Sequence, residues 1–153
     1  MQKRVALVTG AARGIGAAIA RELSDQGWAV AVHYNRSEAQ ARALAEALPD
    51  ILRGRPLVCV MGALADKDFG EVARLVCSQA VCTYTLTPDS PRALNAAALA
   101  EAVRPYCPAE ATESVASALN RAMAVAGNDG VILAFGSLSY LGAFRAEVRK
   151  ALN

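Results

Sequence analysis

Histidine is nearly absent from this chain, His33 being the only one. Any mechanism or metal centre that needs two imidazoles is thereby excluded. Aromatic residues are scarce too, at 5%, with Trp28 the single tryptophan. The four cysteines, Cys59, Cys77, Cys82 and Cys107, form no Cys-x-x-Cys pair and lie scattered through apolar segments. That distribution argues for buried free thiols rather than a zinc site or a disulfide frame. No apolar run reaches the roughly 18 to 20 residues needed to span a bilayer, and no signal peptide precedes the first apolar segment. A net charge of +2 is too small to argue for nucleic acid or an acidic membrane. A soluble protein of cytoplasmic type, with neither nucleic acid nor membrane as partner, is expected.

What is present is a compact apolar chain. Of its 153 residues, 54% are hydrophobic and only 20% charged, enough for a sizeable core in a single domain spanning 1–153. Its organising stretch is Thr9-Gly10-Ala11-Ala12-Arg13-Gly14-Ile15-Gly16. It follows an apolar strand, Val5 to Val8, and leads into a helical pattern. Backbone N–H groups at a helix start have no partner within the helix, and the helix dipole adds partial positive charge there. Glycine is wanted where a Cβ would block a phosphate.

Strand and helix signals alternate to the end, which predicts an α/β architecture with a mostly parallel sheet. Strands are expected at 4–9, 28–34, 56–61, 80–85, 106–111 and 131–135. Helices are expected over 14–26, over 38–48 behind a capping box at Ser37, and over 66–79. Pro49 to Arg55 reads as a loop. Ser90-Pro91 reads as the N-cap and first residue of a helix reaching Val103. Helices over 112–126 and 137–152 complete the pattern. Trp28, Tyr84 and Phe135 are assigned to the core and His33 to a packed strand end. Asp66-Lys67-Asp68 reads as a helix start, with a remnant binding surface as the alternative, and Ser137 as a structural cap.

From Gln2 to Ser37 the chain resembles the opening β-α-β unit of the short-chain dehydrogenase/reductase family. The spacing Thr-Gly-x-x-x-Gly-x-Gly carries the likeness, together with His33-Tyr34-Asn35-Arg36-Ser37 after the second strand. The resemblance implies NADP(H) as cofactor, because members preferring it place basic residues where Arg13 and Arg36 stand. Guanidinium forks suit a ribose 2′-phosphate, and no acid occupies the place where NAD sites put one. The candidate cofactor-binding set is Gly10, Arg13, Gly14, Ile15, Gly16, Asn35, Arg36 and Ser37. The family's proton donor is missing: Tyr34, Tyr84, Tyr106 and Tyr140 are followed four residues on by Glu38, Pro88, Glu110 and Phe144, never by lysine.

From Glu38 to Asn153 the resemblance changes. Residues 40–48, Met61 to Asp68, Thr87 to Leu94 and Phe135-Gly136-Ser137-Leu138 are similar to the C-terminal domain of folylpolyglutamate/dihydrofolate synthase, of the Mur-ligase group. No Gly-x-x-x-x-Gly-Lys-[Ser/Thr] occurs, so the sequence holds no γ-phosphate cradle.

Together these likenesses imply a three-layer α/β/α Rossmann-like sandwich of about six strands. The ligase domain implies the order 1-2-6-3-4-5, and a reductase-like 3-2-1-4-5-6 is the alternative. The expected protein is an engineered chimera, a reductase-like arm 1–37 on a ligase-like body 38–153, with no catalytic residues and no metal. At most it keeps weak or vestigial NADP(H) or 2′-phosphoadenosine binding. Alternatively it is a folding scaffold without ligand. A dinucleotide is the one small-molecule partner implied, and the chain is expected to be a monomer or weak homodimer.

Overall fold

A computed structural model describes residues 5–9, 18, 21–23, 25–26, 29–33 and 38–152. The strands are β1 (Val5–Thr9), β2 (Ala29–His33), β3 (Leu57–Gly62), β4 (Cys82–Leu86), β5 (Ala109–Ala111) and β6 (Val131–Gly136). The helices are α1 (Glu38–Leu52), the short α2 (Gly70–Val72), α3 (Ala96–Val103), α4 (Val115–Ala126) and α5 (Leu141–Leu152). A π-helical turn, Ala73–Cys77, continues α2, and a 3-10 turn, Leu138–Tyr140, precedes α5. Residues 18, 21–23 and 25, between β1 and β2, are helical.

Every described strand pairing is parallel. One ladder joins β1 to β2, and a second sheet runs β5-β4-β3-β6. β2 lies beside β6, with Cα atoms within 8 Å, so the strands follow the order 1-2-6-3-4-5. The alternative order would set β3 beside β2; instead β3 sits between β4 and β6.

Continuous apolar runs make the central strands. All six residues of β3 are buried, and five of six in β6, as expected of parallel strands covered on both faces. Alternation sends Leu57, Cys59 and Met61 to one face and Val58 and Val60 to the other. The first face packs under α1 (Ala41, Leu44, Leu48), the π turn (Ala73, Val76) and α3 (Leu99, Val103). The second packs under α4 (Ala118, Leu119, Ala122) and α5 (Phe144, Val148). Right-handed crossovers explain the division. Steps from β3 to β4 to β5 run one way across the sheet, and the return to β6 reverses direction, which carries α4 to the opposite side.

Several boundaries depart from the sequence reading. α1 runs through Pro49 to Leu52 rather than stopping before it, because Ile51 and Leu52 bury there. The chain then turns at Arg53 (φ 48°) and Gly54 (φ 79°). Arg55 closes the helix end, donating to the carbonyls of Leu52 (2.9 Å) and Ile51 (2.7 Å). Helix 66–79 is replaced by α2 and the π turn, and α3 starts at Ala96 rather than at Pro91. One cause accounts for both shifts. Residues 63–65 pair with 92–94 through the Leu64–Ala93 bridge and two backbone hydrogen bonds, Ala65 N–H to Arg92 O (2.8 Å) and Leu94 N–H to Ala63 O (2.9 Å). Asn95 caps α3 instead of Ser90, accepting from Ala97 N–H at 2.8 Å. β4 sits at Cys82–Leu86, slightly later than expected, and β5 is shorter than 106–111 and lies at the sheet edge. α4 begins at Val115, capped by Ser114.

Candidate functional site at the carboxyl edge of the sheet

In an open parallel sheet, ligands bind beyond the carboxyl ends of the strands, beside the place where chain direction reverses. Here β6 marks that reversal, between β2 and β3. The strand ends there are Thr9, His33, Gly136 and Gly62. All eight residues of the candidate cofactor set, Gly10, Arg13, Gly14, Ile15, Gly16, Asn35, Arg36 and Ser37, lie outside the described residues. So does Trp28. Their flanks are described. Val5 to Thr9 pair in register with Ala29 to His33, Thr9 opposite His33. Parallel neighbours lie about 4.8 Å apart, so the chain passes into Gly10 and towards Asn35 from adjacent points on one edge. Residue 18 is helical.

The other half of the edge is closed by side chains. Gly136 has φ +113°, and a Cβ there would fall 1.8 Å from the carbonyl oxygen of Gly62. Ser137 N–H donates to that same oxygen at 2.8 Å. The Tyr140 hydroxyl faces two carbonyls, Phe135 O at 2.5 Å and Val60 O at 3.2 Å. Its ring lies over Gly62 together with Leu86 and Pro88. Tyr140 was not singled out in the sequence; a tyrosine five residues past the end of an apolar run carries no signal by itself. Ser137 is buried, shares a hydrogen bond with the Ser139 hydroxyl (2.6 Å) and accepts from Ser139 N–H (3.2 Å).

Asp66 and Asp68 part company. Asp68 accepts from Gly70 N–H at 3.0 Å and starts α2. Asp66 instead pairs with Arg92 at 2.9 Å and ties the loops after β3 and β4 together. Desolvation pulls its carboxyl up, but hydrogen bonding and charge from Arg92 prevail and hold it below the ordinary carboxylate range. Tyr84 and Phe135 are core residues, and Cys59, Cys77 and Cys107 are buried free thiols, all as expected. Cys82 is only half-buried. Among the described residues no helix is long and apolar enough to cross a membrane.

The parallel sheet, its two helical layers and the inserted last strand define a three-layer α/β/α domain. The chain belongs to the family described as Mur ligase, glutamate ligase domain, whose pattern matches residues 18–138. Among solved structures it is similar to Escherichia coli FolC in complex with DHPP and ADP (TM-score 0.68, 22% identity, covering 78% of this chain and 28% of that one). It is similar as well to Mycobacterium tuberculosis folylpolyglutamate synthase complexed with ADP (TM-score 0.66, 25% identity, 74% and 28%). Curated relatives are of a different kind. An uncharacterized oxidoreductase of Methylorubrum extorquens is 52% identical over 48 residues, which is 31% of this chain and 19% of that protein. Versicolorin reductase 1 of Dothistroma septosporum is 41% identical over 73 residues, 48% of this chain and 26% of its own length. The chain spans 19% to 28% of the length of these relatives. It therefore combines a reductase-like part with a ligase-domain-like part. The family match begins at residue 18, inside the arm read as reductase-like.

Proposed function

We propose that this chain is an engineered, non-catalytic chimera that keeps the adenosine 2′-phosphate half of an NADP(H) site. Gly10, Gly14 and Gly16 admit the pyrophosphate to the helix start, beside Ile15, while Arg13, Arg36 and Ser37, next to Asn35, hold the 2′-phosphate. The observation that carries this reading is the in-register pairing of Thr9, which precedes Gly10 in the chain, with His33, two residues before Asn35. The reductase relatives support the cofactor class. The reading without catalysis rests on the sequence, which has neither a Tyr-x-x-x-Lys pair nor a γ-phosphate cradle. Losing the nicotinamide half moves affinity from micromolar toward millimolar, a change of about 4 kcal/mol.

Titration with 2′,5′-ADP, followed by amide NMR with 5′-AMP as control, tests the proposal. Shifts at Gly14 to Gly16 that need the 2′-phosphate are the expected result. An unperturbed spectrum at millimolar ligand would leave a folding scaffold with no ligand.

A further inference from the structure

The strands form two hydrogen-bonded ladders, β1-β2 and β5-β4-β3-β6. β2 lies beside β6, with Cα atoms within 8 Å, yet among the described residues no ladder joins the two. The register of β6 shows which groups this leaves over. Val131 N–H donates to Pro56 O and Ser137 N–H to Gly62 O, each at 2.8 Å, so the odd-numbered residues of β6 bond towards β3. Successive residues of a strand send their backbone groups to opposite sides, and Ile132 and Ala134 therefore present theirs to β2. Both residues are buried, at 1% and 0% exposure. Burying backbone groups without a partner is costly, which makes the joint between β2 and β6 the weakest line across the strands.

We infer that β1 and β2 open away from β6 as one unit while the four-stranded sheet stays folded. Packing and charge hold the unit closed. Leu23, between the two strands, packs against the α1/α3 core, and Asp25 pairs with Arg53 at 3.0 Å. That ion pair is exposed on both sides and contributes little. Opening the joint breaks no ladder hydrogen bond and gives Ile132 and Ala134 access to water. Parting β3 from β4 or from β6, by contrast, breaks a continuous ladder. A two-stranded ladder has little stability of its own, so β1 and β2 lose their pairing once they leave the body. The backbone groups facing the joint and those of the β1-β2 ladder thus meet water in the same event.

Amide hydrogen exchange in the full chain, read residue by residue by NMR, tests this. Ile132, Ala134 and the ladder amides of β1 and β2 are expected to share one protection factor, about tenfold or more below that of Leu133 and Phe135. Low concentrations of urea should reduce the protection of Leu133 and Phe135 steeply and that of the first group only slightly, because the smaller opening exposes less surface. Gln79→Ala, which weakens the body, should lower the protection of Leu133 and Phe135 about fivefold. It should leave the first group unchanged, since the body is folded in both the closed and the open state. Ile132 and Ala134 as well protected as Leu133 and Phe135 would overturn the inference. So would a steep urea response, or a loss of protection with Gln79→Ala, in β1 and β2. The urea series uses the unaltered chain and decides by itself if Gln79→Ala does not fold.

Discussion

The side-chain amide of Gln79 donates to the carbonyl of Ala45 at 3.0 Å. Four residues beyond Ala45, where an α-helix would supply the donor, stands Pro49, which has no N–H. The segment after the π turn thus mends the gap that proline opens in α1.

Gln79→Ala should destabilise the chain by about 1 kcal/mol, the usual net worth of such a bond. In a Pro49→Ala background, where the helix supplies its own N–H, the same change should cost much less. A double-mutant cycle from urea unfolding measures the difference, and equal costs in both backgrounds would refute the coupling.

At the carboxyl edge, Gly136→Ala and Gly127→Ala should behave differently. Both positions have positive φ, but only at 136 would the new methyl meet backbone, 1.8 Å from Gly62 O, whereas nothing lies within 4 Å at 127. Gly127→Ala should cost about 1–3 kcal/mol of conformational strain. Gly136→Ala should exceed about 4 kcal/mol and leave little folded protein; circular dichroism of the purified variants compares them.

Tyr140→Phe keeps the ring over Gly62 and removes the hydroxyl that serves Phe135 O and Val60 O. A loss of about 1–2 kcal/mol is expected, read as a lower urea midpoint at unchanged slope.

Glu71 lies between Arg74 (2.7 Å) and Arg42 (2.9 Å). The hydrogen bond from Arg74, against some desolvation, holds its carboxyl below the ordinary range. A carboxyl lowered on folding contributes stability above its unfolded pKa, and that contribution is lost as pH falls through the lowered native value. Glu71→Gln should therefore flatten the acid limb of the stability curve and flatten nothing above neutrality, as melting temperatures across pH would record.

Under the proposed half-site, Arg36→Asp should erase any preference for NADPH over NADH. Reversing the charge beside a 2′-phosphate removes charge-assisted hydrogen bonds worth about 1.5–3 kcal/mol, roughly tenfold or more in affinity. Equal affinities unchanged by the substitution would count against Arg36 as the 2′-phosphate ligand.

What could be read from residues alone was local or periodic. Runs such as Leu57 to Met61 and Val131 to Phe135 are too apolar to face water, so they had to be covered strands. The capping box at Ser37 marked a helix over 38–48. The eight candidate binding residues come from the motif and the family resemblance; they lie outside the described residues, whose flanks pair at Thr9 and His33. The strand order was legible through family resemblance, since right-handed crossovers permit more than one arrangement.

Tertiary structure decided whatever depended on partners distant in sequence. Propensity ends α1 at Pro49, yet Gln79 reaches its orphaned carbonyl from 34 residues away. Ser90-Pro91 looks like a helix start, yet strand-like pairing with residues 63–65 delays α3 to Asn95. Cys59, Cys77 and Cys107 share a core because β3, the π turn and the loop before β5 meet on one face. A hydrogen bond or a burial that closes across the sheet outweighs the roughly 1 kcal/mol preferences written in neighbouring residues, and no window of sequence contains both of its ends.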